Sequence, residues 1–156
     1  MKPHLFALAA ALVVSGCATT PPGELSPAAK REAEQYALYD DNASQPIDGF
    51  HYTGRYDGWT PLTDTSFVLW TRPTKAYLID LHQGCNDLQF AERIGIDNGN
   101  SWFSARFTKV RVASYGLISV PCTVKQVREV DVKAVRAAQK AAREAKRAAE
   151  RASGNG

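Results

Sequence analysis

Asp80 and His82 stand two residues apart in an alternating apolar stretch. On a strand, that spacing points both side chains to one face, where a carboxylate can hold an imidazole in one tautomer. A histidine oriented in this way belongs to a hydrolase or to a metal site. Asp87 is close by in sequence, and His51 is the other histidine beyond the first few residues. The chain has no nucleophile in a recognisable elbow and no second histidine at ligand spacing. Phosphate-loop, Rossmann, kinase and zinc-finger signatures are absent as well. No catalytic, cofactor-binding or metal-ligating residue is therefore assigned, and no cofactor is expected. Asp80 and His82 are site candidates only. Phe50, Tyr52, Tyr56, Trp59, Trp70 and Trp102 offer a stacking platform for glycan or peptide, but a small core needs the same groups for packing.

The thiol of Cys17 has a clearer chemistry. Lys2 and His4 form a short polar start, and Leu5 to Val14 is an apolar run of about ten residues. A permanent span needs roughly twenty. Val14-Ser15-Gly16-Cys17 then closes the run and Ala18 follows. This resembles the lipobox of bacterial lipoproteins, in which a signal peptidase cuts before the cysteine and the sulfur takes a diacylglyceryl group. The resemblance implies that residues 1–16 are a signal peptide. It also implies that Cys17 carries a thioether lipid and an N-linked acyl chain such as palmitate. Two or more buried chains anchor stably, whereas one is marginal. In the sorting rule that comes with the lipobox, Asp after the cysteine retains a lipoprotein in the inner membrane. Ala18 therefore implies a lipid-anchored outer-membrane protein facing the periplasm.

Without its leader the chain is one domain long, enough to bury roughly two-thirds of its unfolded surface. The net charge of +3 is too mild to suggest a nucleic-acid partner, and much of the basic excess falls between Lys125 and Arg151. With Cys17 lipidated, Cys85 and Cys122 remain of the three cysteines. In an oxidising compartment one remaining pair reads as a disulfide. Metal ligands or redox thiols are the alternatives, although neither cysteine sits in a CxxC or beside a second ligand.

The elements that must position these groups fall into four stretches: the leader 1–16, a lipidated tether with a short helix over 17–46, a β-rich core over 47–130, and a basic Ala-rich helix and tail over 131–156. Ser26 is a helix N-cap with Pro27 at the first helical position, and Tyr36, Leu38 and Tyr39 are its docking groups. Within the core, Phe67 to Trp70 reads as a strand buried on both faces. Ala76 to Leu81 alternates, with Tyr77, Ile79 and Leu81 on one face. Cys85 to Glu92 holds one or two helical turns. Asn98-Gly99 predicts a hairpin between Ile94–Ile96 and Ser101–Phe107, and a turn at Tyr115-Gly116 joins Val110–Val112 to Leu117–Val120. Val124, Val127 and Val130, spaced by three, fit strand and helix equally. From Asp131 to Ala152 the chain is almost wholly strong helix formers, with Ala134, Ala138, Ala141, Ala145, Ala148 and Ala152 forming a seam too small for a firm coiled coil. That helix reads as solvated or transiently docked, and the alternative is a contact with an envelope protein or an anionic surface through Arg136, Lys140, Arg143, Lys146, Arg147 and Arg151.

Trp59 to Leu62, Phe67-Val68-Leu69-Trp70-Thr71, Ala76 to Leu81, Cys85-x-x-Leu88-x-x-Ala91, Arg93-Ile94-Gly95, Ala105-Arg106-Phe107 and Cys122-x-Val124-x-x-Val127 occur in that order. Over roughly residues 45–130 this order is similar to a family of small proteobacterial lipoproteins of unknown function, common in Xanthomonas-type bacteria. The resemblance supports the disulfide and a single β-rich core, and brings no activity. Its pattern often places an acidic residue after Arg-Phe, where this chain has Thr108. The expected fold is a small antiparallel β-barrel or sandwich with an N-terminal helix and a long Ala/Lys/Arg-rich C-terminal helix. The expected role is a non-enzymatic binding or structural module. The alternative is a periplasmic hydrolase, or a ligand- or metal-binding protein, using the Asp80–His82 face.

Overall fold

The computed structural model describes residues 25–82, 88–99, 101–113 and 121–154. The leader, Cys17, Cys85, Asp87, the Tyr115-Gly116 turn and the last two residues lie outside them. The fold is mainly β, with one helix at each end. Helix α1 is Pro27–Asp40, and the Ser26 hydroxyl accepts from the Ala29 N–H at 3.1 Å as expected of an N-cap. The strands are β1 (Gly49–His51), β2 (Gly58–Thr63), β3 (Ser66–Arg72), β4 (Lys75–Leu81), β5 (Arg93–Asp97), β6 (Trp102–Ser104), β7 (Lys109–Ala113) and β8 (Pro121–Val130). A 3-10 turn, Leu88–Phe90, precedes β5 and sinks Leu88 into the core. Helix α2 is Val132–Ser153, capped by the Asp131 carboxylate on the Ala134 N–H at 2.9 Å.

Six strands form an antiparallel half-barrel in the order β2-β3-β4-β8-β7-β5, and β1 pairs with β6 as a separate ribbon. The period-two alternation of β3 and β4 sends side chains to two different cores. Phe67, Leu69, Tyr77, Ile79 and Leu81 face one way and meet Phe50 and Phe103 of the ribbon. Val68, Ala76 and Leu78 face the other way and meet Tyr39 of α1 with Val132 and Val135 of α2. The half-barrel is thus covered by the ribbon on one face and by the two helix ends on the other. Both faces of β3 and β4 are buried, which extends to β4 the two-sided burial expected of Phe67–Trp70.

The valine spacing in β8 resolves as a strand with a bulge. Asp80 pairs with Gln126 but Leu81 pairs with Val124, so Lys125 is an extra residue in the ladder. The bulge returns Val124 and Val127 to the same face, toward the ribbon core, while Val130 points to the helix core. On the edge of β8 away from β4 the partner changes across the bulge: residues 121–123 pair with β7, and past Lys125 the Ile47 N–H donates to the Val127 carbonyl at 2.9 Å.

The hairpin expected at Asn98-Gly99 does not form. Gly99 does take a left-handed φ of 58°, but β5 pairs with β7, and β6 pairs with β1. The Asn98 amide donates to the Tyr52 carbonyl at 3.4 Å and the Tyr52 N–H donates to the Ser101 carbonyl at 3.0 Å, so the loop closes on the end of β1. Burial decides the pairing. Setting β6 against β1 puts Phe103 opposite Phe50, their rings stacked with centroids 4.8 Å apart. The ribbon also needs Gly49, since a Cβ there would lie 2.0 Å from the Phe103 carbonyl oxygen.

Candidate functional site

Alternation on β4 puts Asp80 on the same face as Ala76 and Leu78, inside the helix core. A carboxylate there requires partners, because burying an unpaired charge is costly. Its cross-strand neighbours supply them. Ser66 and Gln126 are its register partners on β3 and β8. Ser66 Oγ donates to Asp80 Oδ1 at 2.6 Å, and Gln126 Nε2 donates to Oδ2 at 2.7 Å. Arg128, one same-face step along β8, brings Nη2 to 3.1 Å from Oδ2.

Helix α1 completes the cluster. The Tyr36 hydroxyl donates to Asp80 Oδ1 at 3.4 Å and accepts from Arg128 Nη2 at 3.2 Å. Asp40 Oδ1 sits 2.7 Å from Arg128 Nη1. Burial, then the Asp80 charge, holds the Tyr36 pKa above the usual tyrosine range, so the hydroxyl stays protonated at neutral pH and can donate. Burial lowers the pKa of Arg128, but the bond to Asp40 and the charge of Asp80 more than offset it, so the guanidinium stands above its ordinary value. Arg128 Nε is buried without a hydrogen-bond partner. The carboxylate is thus saturated by internal donors, and its evident work is to tie α1 to β3, β4 and β8.

His82 does not join this cluster. It lies just beyond β4, exposed, with its N–H donating to the Thr123 carbonyl at 3.1 Å, and it makes no hydrogen bond with Asp80. His51 is on β1, where Nδ1 meets the Ser101 carbonyl at 2.7 Å. Among the described residues no three His, Cys, Asp or Glu side chains come together as a metal site. Cys122 is on β8 opposite Val110 and packs against the ribbon core; its expected partner Cys85 lies outside the described residues. Thr108 is buried, and its hydroxyl accepts from the Ser104 N–H at 2.9 Å, the kind of bond an acidic side chain would make at that turn.

Sequence reasoning missed Asp40, Ser66, Gln126 and Arg128, and named Tyr36 as a docking group without its bond to Asp80. The signal was present in Asp80 itself. Sharing parity with Ala76 and Leu78, it had to face a core, and a buried carboxylate implies a cation on the neighbouring strand.

Of the expected aromatic platform, Phe50 and Tyr52 are buried, Tyr56, Trp59 and Trp70 are half-buried, and Trp102 alone is exposed. The other five are packed into core, with Tyr56 donating to the Ile94 carbonyl at 2.9 Å and Trp70 Nε1 donating to Thr60 Oγ1 at 3.1 Å.

The second feature of note is α2. Val132 and Val135 root its first turn in the helix core, and every described residue from Lys140 to Gly154 is exposed. At 1.5 Å per residue this is about 20 Å of helix standing in solvent, its Ala seam uncovered. No helix among the described residues is long and apolar enough to cross a membrane.

No curated protein and no solved structure matches the chain. A family model described as a family of unknown function, DUF6491, matches residues 1–146. That match spans nearly the whole of the 156 residues, and the chain belongs to the family of unknown function DUF6491.

Proposed function

We propose that the protein is a lipid-anchored, non-enzymatic module of the outer membrane that faces the periplasm, and that its C-terminal helix contacts an anionic surface of the envelope. The observation that carries this reading is the exposed length of α2. Lys140, Arg143, Lys146, Arg147 and Arg151 share it with just two carboxylates, Glu144 and Glu150. The ion pairs Lys140–Glu144 at 3.9 Å and Lys146–Glu150 at 4.0 Å lie on the exposed surface, and such pairs contribute little. The cations are therefore available to a partner. Saturation of Asp80 by internal donors also favours a binding role over chemistry on the Asp80–His82 face.

The anchor itself would mask any contribution from the helix, so the test uses a Cys17→Ser chain that carries no lipid. It is expected to cosediment with vesicles containing anionic phospholipid, to ignore neutral vesicles, and to be released as salt rises and the Debye length shrinks below about 5 Å. Truncation after Gln139 is expected to abolish the binding. Binding that is indifferent to lipid charge, or that survives the truncation, would overturn the reading.

The same periplasmic setting makes Cys85 and Cys122 a disulfide. Closing a loop of nearly forty residues stabilises by about 3–4 kcal/mol in the chain-entropy model. Periplasmically expressed protein, denatured without reductant, is expected to show no free thiol at either position. Two reactive thiols there would refute the bond.

A further inference from the structure

Beneath the ribbon, β1, the loop after it and the β3–β4 turn enclose a cleft of about 500 Å³. That size falls among small-molecule sites, which run to roughly 300–1,000 Å³. The floor is aromatic. Phe50 stacks on Tyr77 with ring centroids 3.7 Å apart and planes 5° from parallel, and Tyr52 meets Phe50 edge-on. The rim is cationic, with Arg55, Arg72 and Lys75 on it, and Glu129 as the carboxylate.

These cations differ in their engagement. Lys75 Nζ is 3.5 Å from Glu129 and 5.7 Å from the centre of the Tyr77 ring. Its pKa stands above the usual lysine range, held there first by the Tyr77 hydroxyl and then by Glu129. Glu129 is thereby occupied. The Arg55 and Arg72 side chains have no hydrogen bond or ion pair among the described residues, whereas Arg111 pairs with Asp97 and Arg128 with Asp40 and Asp80. His51 also lines the cleft. A carbonyl accepts only, so His51 Nδ1 must be the donor to Ser101, which leaves Nε2 for another partner.

We propose that this cleft binds a small organic oxyanion, a phosphomonoester or a dicarboxylate, with Arg55 and Arg72 on its charged oxygens and the Phe50–Tyr77 floor beneath its uncharged part. Two unpartnered guanidiniums match such oxygens in a planar, bidentate manner that an ammonium does not. The site is concave with ring edges at its base, so a compact ligand fits it better than a flat surface does. The proposal is independent of the contact assigned to α2.

The test is calorimetric titration of the full chain at about 0.15 M salt, with glucose 6-phosphate, succinate, inorganic phosphate and glucose as separate probes. Glucose 6-phosphate or succinate is expected to bind saturably with a Kd below about 1 mM, and the tighter of the two names the oxyanion. Inorganic phosphate is expected to bind more weakly than its ester and glucose not at all. Arg55→Gln with Arg72→Gln is expected to weaken binding at least about tenfold without moving the unfolding midpoint, since both side chains are exposed. Thr71→Glu, which sets a carboxylate in the cleft, is expected to give the same loss. Failure of both organic anions to saturate, or binding unchanged in these variants, would overturn the proposal.

Discussion

Asp80→Ala is expected to lower the stability of the domain by about 3 kcal/mol, measured by urea or guanidinium unfolding. The carboxylate side chain is 8% exposed and that of Arg128 12%, so the pair is screened little by water. Removing Asp80 leaves Arg128 with Asp40 as its one carboxylate and leaves Ser66 Oγ and Gln126 Nε2 facing a void. Breaking one partner of a buried pair typically costs about 3–5 kcal/mol; the surviving Asp40 contact sets the expectation at the lower end. The comparison that isolates the cause is the double variant Asp80→Leu with Arg128→Leu. Buried ion pairs replaced by apolar groups of similar size are often close to neutral, so the double variant is expected to be more stable than Asp80→Ala. His82→Ala is the control, with a change within about 0.5 kcal/mol, as for an exposed side chain outside the network. A large loss in His82→Ala, or none in Asp80→Ala, would show that the histidine and not the buried cluster is what Asp80 serves.

That contrast also shows what could be read from residue order and what could not. The helix cap at Ser26, the two-sided strand at Phe67, and the alternation of Tyr77, Ile79 and Leu81 follow from local rules of spacing and capping, and each forms as expected. The Asp80–His82 reading used a local rule as well, but it treated the pair as if the strand ran on and its face were open. The strand ends at Leu81, the ladder slips at Lys125, and the face is covered by α1 from more than forty residues upstream. None of those facts is local. Lys125 is one of several polar residues in β8, beside Gln126, Arg128 and Glu129, and nothing in its type distinguishes a bulge from a solvent-facing position. The Val124–Val127 step carried the trace of it, since two apolar residues three apart share one face of a strand only when an extra residue lies between them. The Asn98-Gly99 expectation failed for a related reason. A turn signal fixes where the chain bends but not which strand it returns to, and the aromatic rings of β1 outbid the nearer neighbour through burial.

Phe103→Ala tests that pairing, and about 4 kcal/mol of lost stability is expected. The ring is 0% exposed, stacked on Phe50 and edge-on to Tyr52 with centroids 6.4 Å apart. Truncation removes most of its buried area and leaves a cavity whose other walls are strands of the half-barrel, which cannot collapse into it. A two-stranded ribbon has little stability of its own, so β1–β6 persists because Phe50 and Phe103 bury together. Amide exchange in the variant is therefore expected to quicken first at 49–51 and 102–104, while β3, β4 and β8 keep their protection until global unfolding. Phe107, three residues from the end of β6, is 82% exposed, and Phe107→Ala is expected to change stability by less than about 0.5 kcal/mol. Were β6 instead paired with β5 in the hairpin that Asn98-Gly99 suggests, exchange would quicken at 93–97 together with 102–104 and leave β1 unaffected. The order of exchange thus separates the two topologies directly.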